Sequence, residues 1–369
     1  MRGPRFTDIV AALPPTVPFV GPEQMERDRG APFVARLGAN ESVFGPSPLA
    51  SRAMQAADAE IWKYGDSTSF DLRHALAEDL GIGADNIVLG AGIDGLLEST
   101  VRLMVGPGDQ VVTSDGAYPT FNFHVAGHGG TLHRVPYRDD HEDPEALLAK
   151  ARAVGAKLIY LANPDNPMGS WLSAAQVEAM IAALPAGCVL VLDEAYVEFA
   201  PEDSVPAFDV TDPAVLRFRT FSKAHGMAGA RVGYAIGQAD VIAAYEKVRN
   251  HFGMNRSAQA GALAALQDRA WLARVQRDVA TARDRIAAIA RDNGLRPLAS
   301  ATNFVAVDCG ADGDFARRVL TGLLAQGVFV RMPFVAPEDR CIRISAGTPE
   351  MLDAFAAALP EALAVARRG

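Results

Sequence analysis

Cysteine is scarce in this chain: Cys188, Cys309 and Cys341 are the three in the sequence, far apart and without a CxxC pair or histidine-rich company. That spacing excludes a disulfide framework and a zinc site, and it reads as buried thiols of a reducing compartment. The seven histidines show no metal-ligand spacing, and neither a GxSxG turn nor a Cys/His pair points to hydrolysis. No stretch approaches the ~18 consecutive apolar residues of a membrane span. Arg2 and Arg5 give a basic start, but Pro14, Pro15 and Pro18 interrupt the segment after them, so a secretory h-region is not expected. Charge of one sign never accumulates into a block of about five or more residues. A formal net charge of −9 and a pI near 5.3 argue against a nucleic-acid or anionic-membrane partner. The expectation is a cytoplasmic protein that works on small molecules, with no metal.

With 49% hydrophobic and 21% charged residues over 369 positions, the composition is that of an ordinary globular protein too long for one core. Residues 1–45 hold many Pro and Gly with little periodicity and read as an extended arm that contributes to a small domain. From about residue 68, apolar-periodic stretches (Ser69–Leu80, Gly95–Val105, Pro144–Val154, Ser173–Leu184) alternate with short apolar runs (Ile87–Leu89, Val111–Thr113, Leu158–Leu161, Val189–Leu192, Leu216–Phe218, Tyr234–Ile236). Such alternation predicts an α/β domain over 46–254, with a mostly parallel central sheet and helices on both faces. An Ala-rich helical region at 257–292, the segments Asn303–Asp308, Asp314–Gln326, Val328–Arg331 and Cys341–Ser345, and a closing helix from Pro349 predict a smaller α+β domain over 255–369.

Ligands of a parallel sheet bind beyond the carboxyl ends of its strands, and several polar residues fall there. Ser222-Lys223 follows the run Leu216–Phe218, Asp193 ends the run Cys188–Leu192 with Tyr196 three residues on, and Arg231 lies eight residues after Lys223. A lysine beside a hydroxyl, an upstream aspartate and a downstream arginine are what an enzyme needs to hold pyridoxal phosphate. The amine condenses with the aldehyde, Asp193 faces the pyridine nitrogen and keeps it protonated, and Ser222 and Arg231 hold the phosphate. Asn166, in the turn Asn163-Pro164-Asp165-Asn166-Pro167, and Tyr196 are then placed to hydrogen-bond the phenolic oxygen of the ring. Taken singly, an aspartate after a strand is usually an N-cap or a metal ligand, and the turn could be only a turn. The segment Gly90-Ala91-Gly92-Ile93-Asp94-Gly95 opens a helix and suits a phosphate on backbone amides; a dinucleotide site would need a fuller fingerprint. Tyr118 either stacks on the ring or is a core tyrosine. Arg343, inside the alternating strand Cys341–Ser345, is a candidate bidentate partner for a substrate carboxylate or else a surface arginine; Arg331 adds a second positive group in the same lobe.

The chain resembles the fold-type I pyridoxal-phosphate-dependent aminotransferases, and within them the histidinol-phosphate aminotransferases, from about Leu37 to Gly347. The resemblance rests on Ala39-Asn40-Glu41, Gly45-Pro46-Ser47-Pro48, Gly92-Ile93-Asp94, Tyr118-Pro119, Asn163–Gly169, Thr220-Phe221-Ser222-Lys223, Ala228–Tyr234, Asn303-Phe304 and Ile342–Ser345. The string Asp193-Glu194-Ala195-Tyr196-Val197-Glu198-Phe199 is its most subgroup-specific part. It implies an aminotransferase exchanging an amino group between glutamate/2-oxoglutarate and histidinol phosphate/imidazole-acetol phosphate. Lys223 carries the cofactor, Asp193 pairs with its ring nitrogen, Asn166 and Tyr196 hold its phenolic oxygen, and Tyr118 stacks on it. Ser222, Arg231 and the amides at Gly92, Ile93 and Asp94 take its phosphate. Arg343 takes the glutamate carboxylate or the substrate phosphate, with Arg331, Asn40 and Phe19 also on the substrate side. Tyr64 matches a tyrosine that reaches the partner subunit's cofactor phosphate, which implies a homodimer with shared sites.

The chain departs from that pattern in three places. Ile93 stands where the family usually has Ser and Gly95 where it has Glu, so the phosphate clamp relies on amides. Phe19, in Pro18-Phe19-Val20-Gly21-Pro22, stands where the histidinol-phosphate enzymes tend to have a tyrosine whose hydroxyl helps bind substrate phosphate. His251–Asn255 departs from a usual Pro-Phe start. An aminotransferase for aromatic or other amino acids is the first alternative, and a pyridoxal-phosphate decarboxylase of the threonine-phosphate type, on the same scaffold, is the second. A non-catalytic regulator would carry an added DNA-binding module, which the sequence does not offer.

Overall fold

The computed structural model describes residues 4–15 and 20–368. Its strands are β1 (Ala35–Arg36), β2 (Ile87–Gly90), β3 (Gln110–Ser114), β4 (Thr131–Val135), β5 (Leu158–Ala162), β6 (Val189–Asp193), β7 (Val215–Thr220), β8 (Gly233–Ile236), β9 (Arg296–Pro297), β10 (Phe304–Asp308), β11 (Val328–Phe329) and β12 (Cys341–Ser345). Each of the six apolar runs of the first part of the sequence becomes a strand of one seven-stranded sheet, ordered β2-β8-β7-β6-β5-β3-β4. All neighbours are parallel except at β8, which runs antiparallel to both β2 and β7. The connection 221–232 turns back on itself instead of crossing the sheet with a helix, so β8 returns beside β7 in the opposite sense. The seventh strand, β4, gave no apolar run: it is an edge strand, and only Val135 of Thr-Leu-His-Arg-Val is buried.

The central strands are mostly apolar because both faces are covered, and the two arginines of β7, Arg217 and Arg219, are paired with Glu194. Leu158 and Tyr160 of β5 join Val111, Val191, Phe218 and the helix Gly92–Met104 on one face. Ile159 and Leu161 join Val112, Leu190, Leu192 and residues of the helices Pro144–Val154 and Ala174–Ala182 on the other. Both helices of this second face start at side-chain caps. Asp143 accepts from the amides of Glu145 and Ala146, and Ser173 forms a capping box with Gln176.

The second lobe is built on the antiparallel sheet β12-β10-β9. Three helices, Arg269–Asp292, Gly313–Ala325 and Pro349–Ala366, enclose its core. The N-terminal arm belongs to this lobe by packing: β1 pairs with β11, and Ala35 and Leu37 enter the same core. The Ala-rich region breaks at Asp268, which ends the helix Arg256–Gln267 and caps the next by accepting from the Trp271 amide at 3.1 Å. Ala258, Ala262, Ala265 and Leu266 of the first of these helices pack with Leu72, Leu76 and Ile87, on the side of the large sheet. The sequence division near residue 255 puts that helix in the second lobe, since alanine composition carries no sign of which surface a helix covers.

Candidate active site

The sheet register brings the polar strand ends to one level. Ala162 lies opposite Asp193, Asp193 opposite Phe218, Thr220 opposite Gly233, and Gly233 opposite Gly90. The segments that leave these positions carry Gly92–Asp94, Asn166, Tyr196, Ser222-Lys223 and Arg231, and they open into a cavity of about 510 Å³. Asn40, Ile93, Asp94, Tyr118, Asn166, Asp193, Tyr196, Ser222, Lys223, Arg231 and Arg343, named from the sequence, all line it.

Two ends of the cavity differ in chemistry. At one, the helix Gly92–Met104 begins without a side-chain cap, which leaves its first amides directed at the opening. Arg231, held in the left-handed backbone region at φ 57°, lays its guanidinium against this turn. Its Nη1 donates to Ser222 Oγ at 3.2 Å and to the Ala228 carbonyl at 3.0 Å, and its Nη2 stands 3.6 Å from Asp94 Oδ2. Gly92 makes that approach possible: a Cβ there would lie 2.3 Å from Arg231 Nη2, and φ is +73°. Tyr118 donates to Asp94 Oδ1 at 2.8 Å, and burial together with the Asp94 charge raises its phenol well above the ordinary range. The arrangement is an anion cradle of amides, one hydroxyl and one guanidinium.

Near the middle, Asp193 is buried and accepts from the Tyr160 hydroxyl at 2.7 Å and the Ala195 amide at 2.9 Å. Burial pushes its carboxyl up to about 6, against the pull of those two donors and of the Lys223 charge. Lys223 Nζ donates to the Asn40 carbonyl at 3.2 Å and stands 5.4 Å from the centre of the Tyr196 ring. The Tyr196 hydroxyl accepts from Asn40 Nδ2 at 3.0 Å. Asn40 is 2% exposed, adopts φ 55°, and is fixed by Ser345 and by the Asn303 side chain at 3.1 Å, so the N-terminal arm and the second lobe meet on it.

At the second-lobe end, Arg343 donates to Asn166 Oδ1 and, at 3.4 Å, to the Gly38 carbonyl. Its buried Nε has no hydrogen-bond partner, and burial, with Arg331 nearby, lowers its pKa to about 10 against the pull of Tyr196. A buried cation with an open donor is matched by an incoming carboxylate or phosphate.

The remaining sequence candidates lie elsewhere. Arg331 pairs through its backbone with Arg343 but points its guanidinium at the Val20 carbonyl and does not line the cavity. Tyr64 is 78% exposed, packed on Phe252 with ring centres 4.8 Å apart, outside the cavity of its own chain. Phe19 falls outside the described residues. The structure adds Tyr160, Thr220 and Glu23 to the cavity wall. Tyr160 was hidden as the one hydroxyl in the apolar run Leu158–Ala162, and only the pairing of β5 with β6 turns it towards Asp193. Among the described residues, no group of three or more His, Cys, Asp or Glu side chains could hold a metal ion.

A mostly parallel sheet whose strand ends gather a lysine, a buried aspartate, an anion cradle and an arginine from a second lobe has the architecture of the fold-type I transferases. Residues 34–359 match the family model of aminotransferase class I and II, and the chain belongs to that family. It is 38% identical over 370 residues to histidinol-phosphate aminotransferase 2 of Ralstonia nicotianae, covering 99% of this chain and 98% of the relative. It is 32% identical over 365 residues to histidinol-phosphate aminotransferase of Moorella thermoacetica, covering 98% and 94%. Among solved structures, histidinol-phosphate aminotransferase from Sinorhizobium meliloti in complex with pyridoxal 5'-phosphate is similar, with a TM-score of 0.95, 53% identity and 98% of each chain covered.

Proposed function

We propose that this aminotransferase is pyridoxal-phosphate-dependent and exchanges an amino group between glutamate/2-oxoglutarate and histidinol phosphate/imidazole-acetol phosphate. The observation that carries the reading is the spacing of charge in one cavity: an anion cradle at Arg231 and Gly92, an amine and a buried carboxylate between, and an arginine with an open donor at the far end. Full-length relatives named for histidinol phosphate support the substrate. The residues present fit the cofactor, since the cradle exists only because position 92 lacks a Cβ.

When bound, pyridoxal phosphate supplies an aldehyde and a ring that accepts electrons. Ser222, Arg231 and the amides at Gly92, Ile93 and Asp94 would hold its phosphate, and Tyr118 would cover the ring. Asp193 would hold a proton at the ring nitrogen, while Asn166 and Tyr196 would bind the phenolic oxygen. Lys223 would anchor the aldehyde and then, as a free amine, move a proton from the substrate Cα and return it. Arg343 would orient the substrate by its carboxylate or phosphate, leaving Arg331 and Asn40 to position the arm that covers the cavity.

The same reading includes a homodimer with shared active sites. Ile61, Trp62, Tyr64 and Phe252 are 57%, 77%, 78% and 54% exposed, an apolar group that a second copy would cover while Tyr64 reaches the partner's cradle. No described helix is long and apolar enough to cross a membrane, and the three cysteines are buried and free; both suit a cytoplasmic enzyme.

The test is a panel of amino donors mixed with the holoenzyme, the loss of its visible absorption band reporting each half-reaction. Histidinol phosphate and glutamate should both convert the cofactor. Phe19→Tyr should raise kcat/KM for histidinol phosphate by roughly tenfold, the worth of one hydrogen bond to a charged group, and leave an aromatic amino acid unaffected. Conversion by phenylalanine or tyrosine with none by histidinol phosphate overturns the substrate assignment and leaves the aminotransferase.

A further inference from the structure

The Asp193 carboxylate is held from beneath by a residue that no motif names. Tyr160 lies in the middle of β5, fully buried, with its ring stacked on Phe121 at 4.6 Å and an interplanar angle of 20°. Its hydroxyl reaches Asp193 Oδ2 at 2.7 Å, while Oδ1 takes the Ala195 amide at 2.9 Å. Each carboxylate oxygen therefore has one fixed protein donor, and the carboxylate cannot rotate without breaking both bonds. The phenol also lines the cavity, so it stands between the strand and the space a ring would fill.

We propose that Tyr160 is a positioning residue for Asp193, its phenol holding the carboxylate turned into the cavity as an anionic acceptor for the ring nitrogen of the cofactor. The inference rests on the pyridoxal-phosphate reading above. Charged and titratable groups face Asp193 from every side. Tyr160 acts from β5, Lys223 from the segment after β7, Asp94 from the helix Gly92–Met104, Tyr118 from the start of the next helix, and Glu142 from the loop ahead of the helix Pro144–Val154. Burial and Asp94 favour the neutral acid; Tyr160, the Ala195 amide and Lys223 favour the anion. Tyr160 is the side-chain donor among the latter, and the one a single-atom change removes. Glu142, itself raised well above the carboxylate range by burial and by Asp165, has one oxygen bonded with Ser114 and the other with the Ala162 amide, so neither of its oxygens is bonded to Asp193.

Tyr160→Phe keeps the ring, its stack and its volume, and deletes the donor alone. Equilibrium binding of pyridoxal phosphate to the apoprotein, followed by the visible absorption of the complex, is measured from pH 5 to 9 for wild type, Tyr160→Phe, Asp193→Asn and the double variant. The expected result is that the midpoint of acid loss of binding moves up by about one pH unit in Tyr160→Phe, corresponding to one hydrogen bond to a charged group. In the Asp193→Asn background the same change should move nothing further. A Tyr160→Phe protein with the wild-type midpoint, or one that shifts it equally in the Asp193→Asn background, overturns the proposal. Failure of the wild-type apoprotein to bind pyridoxal phosphate at all would instead overturn the cofactor reading beneath it.

Discussion

Gly92→Ala isolates the anion cradle from the rest of the site. Two costs arise from the one added methyl. The backbone at 92 sits at φ +73°, a conformation that costs an L-residue with a Cβ roughly 1–2 kcal/mol. The new Cβ would also lie 2.3 Å from Arg231 Nη2 and 2.8 Å from its Cζ, so the guanidinium has to retreat by about 1 Å to reach an ordinary contact. Such a retreat pulls Nη1 away from Ser222 Oγ, now at 3.2 Å, and takes the charge off the helix N-terminus. Losing one charge-assisted bond to a phosphate is worth about 1.5–3 kcal/mol, or about 10- to 100-fold in affinity. Gly155→Ala separates the two costs: position 155 ends the helix Pro144–Val154 at φ +64°, and an added methyl there would meet nothing within 4 Å. Thermal melting of the apoproteins should show the backbone cost in both variants, with a further loss in Gly92→Ala from the displaced Arg231. Titration with pyridoxal phosphate should show weakened binding only for Gly92→Ala, and the loss should persist for inorganic phosphate as competitor. Wild-type cofactor affinity in Gly92→Ala would refute the assignment of this turn to the phosphate.

Lys223→Ala should abolish turnover, and borohydride reduction of the native holoenzyme followed by peptide mass spectrometry should find the cofactor on Lys223; label on another lysine removes its role. Asp193→Asn should slow the proton-transfer half-reaction by orders of magnitude in stopped flow, with near-wild-type rates counting against the pairing. The same substitution should also change how apoprotein stability depends on pH. The Asp193 carboxyl is raised to about 6 from an unfolded value of 3.8, so its neutral form stabilises the fold below pH 3.8 and that contribution, roughly 3 kcal/mol, is lost as pH rises to about 6. Chemical denaturation across that window should therefore be flatter in Asp193→Asn, and an unchanged slope contradicts the buried-acid account. Mixing inactive Lys223→Ala subunits with severely impaired Tyr64→Phe subunits should restore a fraction of sites, whereas a fully active monomer in sedimentation at assay concentrations excludes a shared site.

What could be read from the sequence divides along physical lines. A strand covered on both faces is mostly apolar, so β2, β3, β5, β6, β7 and β8 all carry apolar runs, and the polar residues at or just after the ends of β5, β6 and β7 mark the cavity. β4 had no such constraint: at the edge, with only Val135 buried, its composition is that of a loop. The reversed direction of β8 was equally silent, because a buried strand reads the same in either sense. The site shows the same divide. Lys223, Asp193 and Arg231 are legible because charge near a strand end calls for an explanation, and the set has only a few; Ser222 is legible as the hydroxyl beside Lys223. Tyr160 was not, since a tyrosine inside Leu-Ile-Tyr-Leu-Ala satisfies the demand for a bulky apolar side chain and hides its hydroxyl. The register of β5 against β6 decides that this hydroxyl meets Asp193 and not a backbone carbonyl, and register is a property of two distant segments at once. The direction of Arg331 is a long-range outcome of the same sort: its strand pairing sets it beside Arg343, but its guanidinium goes to the Val20 carbonyl, a partner some 300 residues earlier in the chain. Residues whose role follows from their own chemistry can be found in one dimension; those whose role is to aim another side chain become visible only when the strands are laid side by side.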